Sequence, residues 1–168
     1  MADTGAWSTL TCDDILVTGD NIITMEAGEA LTGGQVVGHA ATGDGKAYAM
    51  DATAGENAVG VVLYDVESGG QAAIATIGCV VRMREGAGSA IDAGDWLEQD
   101  DNSAKGMVKT FTPRADLASC TIDATNDTTV DGSTQLVGMA LEDIAANGEG
   151  KCMIILAPVL WSDHTVVA

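Results

Sequence analysis

Ala58-Val-Gly-Val-Val-Leu-Tyr-Asp65, a polar break ending in Ser68-Gly-Gly70, and Gln71-Ala-Ala-Ile-Ala75 read together as two strands joined by a turn. Short apolar runs rich in Val and Ile, bounded by Gly and Asp, suit a pleated strand and are too short for an amphipathic helix. The same pattern continues in both directions from this stretch. Strands are expected over Asn21–Met25, Gln35–His39, Ala47–Met50, Val59–Asp65, Gln71–Ala75, Cys79–Met83, Asp95–Glu98, Met107–Phe111, Gln135–Leu141 and Gly150–Leu156. The one helical turn expected is Leu141–Asn147, stopped by Gly148. Many short strands at regular spacing predict an all-β protein, a small barrel or sandwich.

Self-comparison shows an internal repeat. Ala27-Gly-Glu-Ala-Leu31-Thr-Gly-Gly34-Gln-Val-Val37 matches Ala87-Gly-Ser-Ala-Ile91-Asp-Ala-Gly94-Asp-Trp-Leu97 at an offset of 60. Ala58–Asp65 recurs as Leu136–Asp143 at 78, and Gln71–Ala75 as Lys151–Ile155 at 80. The growing offset predicts an insertion near Pro113–Ser133 in the second copy. In the shared turn, glycine allows a tight backbone while Leu31 or Ile91 plugs the loop into the core. A copy of about fifty-five residues buries too little alone, so two copies around one core are expected. The chain divides into an N-terminal arm (1–20), a β-rich body (21–157, with pseudo-repeats at about 27–83 and 87–157) and a C-terminal tail (158–168).

Charge narrows the function classes. The chain carries 25 acidic and 7 basic side chains, a formal net charge of −18. Such a surface repels phosphate backbones and anionic lipid headgroups, so neither nucleic acid nor membrane is an expected partner. Abundant Asp with little Lys resembles proteins adapted to molar salt, where the Debye length falls to about 3 Å and self-repulsion is screened. An ordinary acidic protein kept soluble by its charge is the other reading. The start, Met1–Trp7, lacks the basic and apolar regions of an export signal, so synthesis in a cytoplasm is expected.

No set of residues assembles an active site in the sequence. Cys12, Cys79, Cys120 and Cys152 form no CxxC pair, which leaves buried small hydrophobes or a disulfide open and makes zinc improbable. Ser89 misses the spacing of a nucleophile elbow. Gly43-Asp-Gly-Lys46 and Gly148-Glu-Gly-Lys151 lack the rest of a phosphate loop and read as turns. Asp127–Gly132 lacks the closing Glu of a calcium loop, and His39 reads as a polar residue ending a strand. No catalytic, cofactor-binding or metal residue is therefore expected, and an enzyme is not. Trp7, Leu10, Ile15 and Leu16 in the arm and Trp161 in the tail are instead expected contact residues, being apolar groups outside both repeats.

Ala47-Tyr-Ala-Met-Asp-Ala-Thr-Ala-Gly-Glu-Asn-Ala-Val-Gly-Val-Val-Leu-Tyr-Asp65 followed by Ser68-Gly-Gly-Gln-Ala-Ala-Ile-Ala-Thr-Ile-Gly-Cys-Val-Val-Arg82 resembles head decoration (capsid cement) proteins of tailed viruses. The shared features are an Asp-x-Thr loop, an Ala-Val-Gly that opens a strand, and a hairpin leading to a strand that ends in Arg. The A-G-x-x-(L/I)-x-x-G opening and Ala140–Lys151 resemble a second phage family encoded near capsid genes; together the resemblance spans about residues 25–157. It implies a trimer on the capsid exterior that bridges major capsid protein subunits, with residues 1–20 as the segment that orders on the shell. The alternative is a virion- or cell-surface module that binds glycans or receptors.

Overall fold

The computed structural model describes residues 15–39, 43–50, 58–100, 105–111 and 135–158. Its strands are β1 (Leu16–Thr18), β2 (Ile22–Glu26), β3 (Val36–His39), β4 (Ala47–Ala49), β5 (Ala58–Val62) and β6 (Gln71–Ala75). The chain continues through β7 (Val80–Arg84), β8 (Trp96–Gln99), β9 (Val108–Thr110), β10 (Gln135–Ala140) and β11 (Glu149–Pro158). They build two antiparallel sheets in a sandwich-like all-β fold, as the strand pattern predicted. Ten of the strands fall on the expected runs, and β1 is additional. Its positions run from half-buried to exposed with no alternation, so no local pattern reveals it.

Each copy forms its own sheet once the repeat bounds of 27–83 and 87–157 are moved toward the N-terminus, because β2 joins the first sheet and β7 opens the second. The first copy has the order β2-β6-β5-β3-β4, and the second has β7-β11-β10-β8-β9 with β1 added beside β7. The loops repeat as closely as the strands. Leu31 and Val66 exchange backbone hydrogen bonds of 2.8 and 2.9 Å, while Ile91 and Ile144 exchange bonds of 2.9 and 2.8 Å. Asp65 accepts the Gly33 N–H at 2.9 Å, as Asp143 accepts that of Ala93 at 2.9 Å.

Strand register revises the sequence alignment in two places. Ala27 and Glu85 make the same parallel bridge, to Ala47 and to Val108, so Gly28 corresponds to Gly86 rather than to Gly88. The offset also changes over β11. Val61 pairs with Ala75, and its counterpart Met139 pairs with Met153, so the offset over this strand is 153 − 75 = 78 rather than 80. Gln71 therefore corresponds to Glu149. A two-residue shift leaves every side chain on its own face, so the hydrophobic pattern cannot detect it. The offset is 110 − 49 = 61 at the end of β9 and 139 − 61 = 78 in β10, which places 78 − 61 = 17 inserted residues between them. The insertion expected near Pro113–Ser133 falls in that interval, outside the described residues.

The helical turn expected over Leu141–Asn147 does not form. Ile144 instead bridges Ile91, and Asn147 takes a left-handed φ of 57° at the position where the first copy has Gly69, with φ 82°. The need to seat Ile144, 1% exposed, in the core outweighs a single helical turn that would gain few hydrogen bonds. Both copies also carry a glycine where the strands crowd. A Cβ at Gly60 would run into the Ala75 carbonyl oxygen, and one at Gly138 into that of Met153.

The main core lies between the sheets. Val36, Val61, Ala73 and Ala75 of the first sheet meet Val81, Met83, Leu97, Cys152 and Ile154 of the second. A smaller cluster, Leu31, Val37, Val62, Ala72 and Ile74 among its members, lines the opposite face of the first sheet. Alternation along β3, β5 and β6 thus buries both faces of that sheet. The second sheet buries only one.

Candidate interaction surface

Of the expected contact residues, Trp7, Leu10 and Trp161 lie outside the described residues. Ile15 and Leu16 belong to the body. The Ile15 carbonyl accepts the Arg82 N–H at 2.7 Å, Leu16 stands opposite Val81, and both side chains are half-buried against the main core. The boundary drawn at residue 20 therefore moves back to Ile15, because β1 completes an edge of the second sheet.

The candidates for chemistry have structural occupations. Cys79 and Cys152 are free and buried, and burial pushes the Cys152 thiol up to about 12, far from a reactive thiolate. The Ser89 N–H donates to Glu85, which is 2% exposed and also accepts the Asn147 N–H at 2.6 Å. That carboxylate ties down a loop two residues longer than its counterpart: Gly28 to Leu31 is 31 − 28 = 3 positions, and Gly86 to Ile91 is 91 − 86 = 5. Asp44 accepts the Lys46 N–H and the Tyr48 hydroxyl, which makes Gly43–Lys46 a turn, whereas Gly148 closes a turn by donating to Ala145 and Glu149–Lys151 already belong to β11. His39 ends β3 opposite Ala47. Among the described residues, no three potential metal ligands converge.

What the second sheet does offer is an outer face of mixed character. Cross-strand register places Trp96 beside Met139, Met139 beside Met153, and Met153 beside Val80. These four form one apolar row across β8, β10, β11 and β7. Trp96 is 45% exposed, and the other three are half-buried. Charges flank the row. Arg84 pairs with Glu149 at 2.6 Å, Lys151 with Glu142 at 3.4 Å, Arg82 with Glu142 at 4.0 Å, and Lys109 with Glu98 at 3.7 Å. The backbone N–H of Lys151, helped by the Lys151 and Arg82 charges, holds the Glu142 carboxyl below its usual value. Four of the chain's 7 basic residues thus sit on one sheet face, against three carboxylates, 4 − 3 = +1, in a chain of net −18.

Sequence reasoning passed over this row because Trp96, Met139 and Met153 look like ordinary strand residues. The signal was present in the repeat. Trp96 occupies the place of Val36, Met139 that of Val61 and Met153 that of Ala75, and all three first-copy residues are fully buried.

No protein-family model matches the chain, and no curated protein matches it in sequence. In structure it is similar to the crystallised head fiber gp8.5 N base of bacteriophage phi29, with a TM-score of 0.51 and 16% identity. The likeness covers 83% of this chain and 98% of that one, and it shows a shared fold.

Proposed function

We propose that this chain is a structural protein of a tailed-virus head, a trimer that stands on the capsid exterior and bridges neighbouring major capsid protein subunits. The observation that carries the reading is the fold shared with a phage head fiber base across 83% of the chain. The decoration-protein resemblance of residues 25–157 points the same way. Closed cyclic symmetry suits a threefold capsid position, and the acidic surface suits a virion exposed to brine. Trp7, Leu10 and Trp161 remain the proposed capsid contacts; Ile15 and Leu16, which the core already holds, would support them through β1. An extended segment carrying a few apolar anchors can add to a sheet edge of the capsid protein.

The test is co-sedimentation of the purified chain with undecorated heads of the same virus, followed by cryo-microscopy of the mixture. Density at threefold positions is expected, together with heads that resist heating better. A chain lacking residues 1–14 keeps β1 and should fold but bind more weakly. Heads that stay bare at saturating protein would end the proposal.

A further inference from the structure

We propose that the outer face of the second sheet, centred on the row Trp96–Met139–Met153–Val80, is where copies of this chain meet. The inference gives the trimeric reading above its interface.

The repeat itself supplies the argument. The equivalent row in the first sheet is Val36–Val61–Ala75–Ile22, joined by the same cross-strand pairs. There Val36, Val61 and Ala75 are covered by a layer of the homologous unit, packing against the second sheet in the main core, while Ile22 at the edge is exposed. A face adapted to water would have exchanged these residues for polar ones. Elsewhere on the same face that exchange has happened, Ala73 being replaced by Lys151, and the already polar Thr24 has become the charged Arg82, as their places in the register show. Along the row the change runs the other way, to Trp, Met and Met. These larger apolar residues are the types enriched at the centres of protein interfaces.

Charge identifies the occupant as another copy of this chain. Two chains of net −18 repel each other over most of their surfaces. On this face the exposed Arg82, Arg84 and Lys151 are matched by Glu142 and Glu149, while the Lys109–Glu98 pair is already largely buried within the chain. Here alone among the described sheet faces do cations gather around an apolar centre. Copies that meet here can exchange ion-pair partners at the rim while the row is excluded from water. High salt strengthens the contact, because it screens the remaining acidic repulsion and leaves apolar burial intact.

The experiment is light scattering on the full chain, at tens of micromolar protein in about 1 M KCl, a regime where screening is nearly complete. The wild type is expected at three times its 17.0 kDa chain mass, with the mass falling in dilute buffer. Trp96→Ser and Met139→Asp should return it to one chain mass with an unchanged β circular-dichroism spectrum. A second measurement needs no variant. Dilute peroxide should spare Met139 and Met153 in the concentrated protein and oxidise them after dilution to the monomer. A wild type that is monomeric throughout overturns the proposal. So does a folded variant of unchanged mass, or equal oxidation at both concentrations. Protection of the two methionines only when heads are added would assign the face to the capsid protein, overturning this inference and supporting the previous one. Bare heads with an intact, row-dependent oligomer would do the reverse.

Discussion

The two sheets are built to one plan, with the same strand order, the same bridged plug and the same aspartate bond to the following loop. They nevertheless meet opposite circumstances. The strands β3, β5 and β6 of the first sheet are enclosed on both faces, by the second sheet on one side and by the plug loop on the other, while its edge strand β2 stays exposed. The second sheet covers its partner with one face and on the other leaves Trp96 45% exposed and Met139 and Met153 half-buried. The backbone plan is thus indifferent to burial, while the side chains are not. Where the first copy keeps Val36, Val61 and Ala75 covered, the second carries Trp96, Met139 and Met153 beside ion pairs. Position within the stack, rather than the fold of the unit, sets what each face must tolerate.

A carboxylate placed at equivalent points should break the symmetry most. Val61→Asp puts an unpaired charge at a fully buried site and is expected to cost about 4 kcal/mol or more, enough to prevent folding. Met139→Asp, its counterpart on the half-exposed face, should cost the monomer about 1 kcal/mol. Urea unfolding at a concentration too low for association checks both. Comparable losses would mean that the outer face is covered within a single chain.

The plug residues come next in size. Leu31→Ala and Ile91→Ala each remove a side chain no more than 2% exposed, so each should cost about 2–5 kcal/mol. Ile91 should lie nearer the upper figure, because it belongs to the core shared by both sheets, whereas Leu31 plugs a small cluster rich in alanine. Equal midpoint shifts in urea would make the two clusters energetically equivalent despite their sizes.

Much of this plan could be read from the chain. Gly-bounded runs of Val and Ile located ten strands, and the recurring aliphatic plug revealed the duplication. Three things were hidden, each for a physical reason. β1 shows no alternation of buried and exposed positions, and its pairing with β7 is a tertiary contact that a local pattern cannot carry. The true offset of β11 was masked because a shift by two preserves facing. The outer row could not be told from core, since Trp96 and Met139 are apolar strand residues like those that are buried. Only the stacking of the two sheets decides which copy of a face is covered.

The loop aspartates should sharpen the comparison from its symmetrical side. Asp65→Ala and Asp143→Ala each delete one acceptor for a loop N–H at 2.9 Å, and each should cost about 1 kcal/mol. Because the two bonds are the same element used twice, the two losses should agree. A difference as large as the loss itself, read from thermal or urea melts, would show that neighbouring charge outweighs the bond.

The smallest expected effect lies where the copies differ in charge. Glu142 accepts the Lys151 N–H at 3.0 Å and faces the Lys151 and Arg82 side chains, while the corresponding first-copy residue is Tyr64 (142 − 78 = 64). The partners of Glu142 hold its carboxyl below the ordinary 4.5. A carboxyl depressed on folding contributes stability that is complete above its unfolded value and is lost as pH falls through the folded one. Glu142→Gln should therefore lower the melting temperature slightly at neutral pH, with the gap closing below about pH 4 as both proteins carry a neutral side chain there. The group is exposed, so molar salt should narrow the gap at neutral pH as well. Tyr64→Phe is the control, because it removes a hydroxyl bonded to the Gln71 carbonyl and no carboxylate. Its effect should not vary across the acid range. A Glu142→Gln gap that persisted unchanged to pH 3 would mean that the carboxylate's charge contributes nothing, since the amide oxygen can still accept the Lys151 N–H.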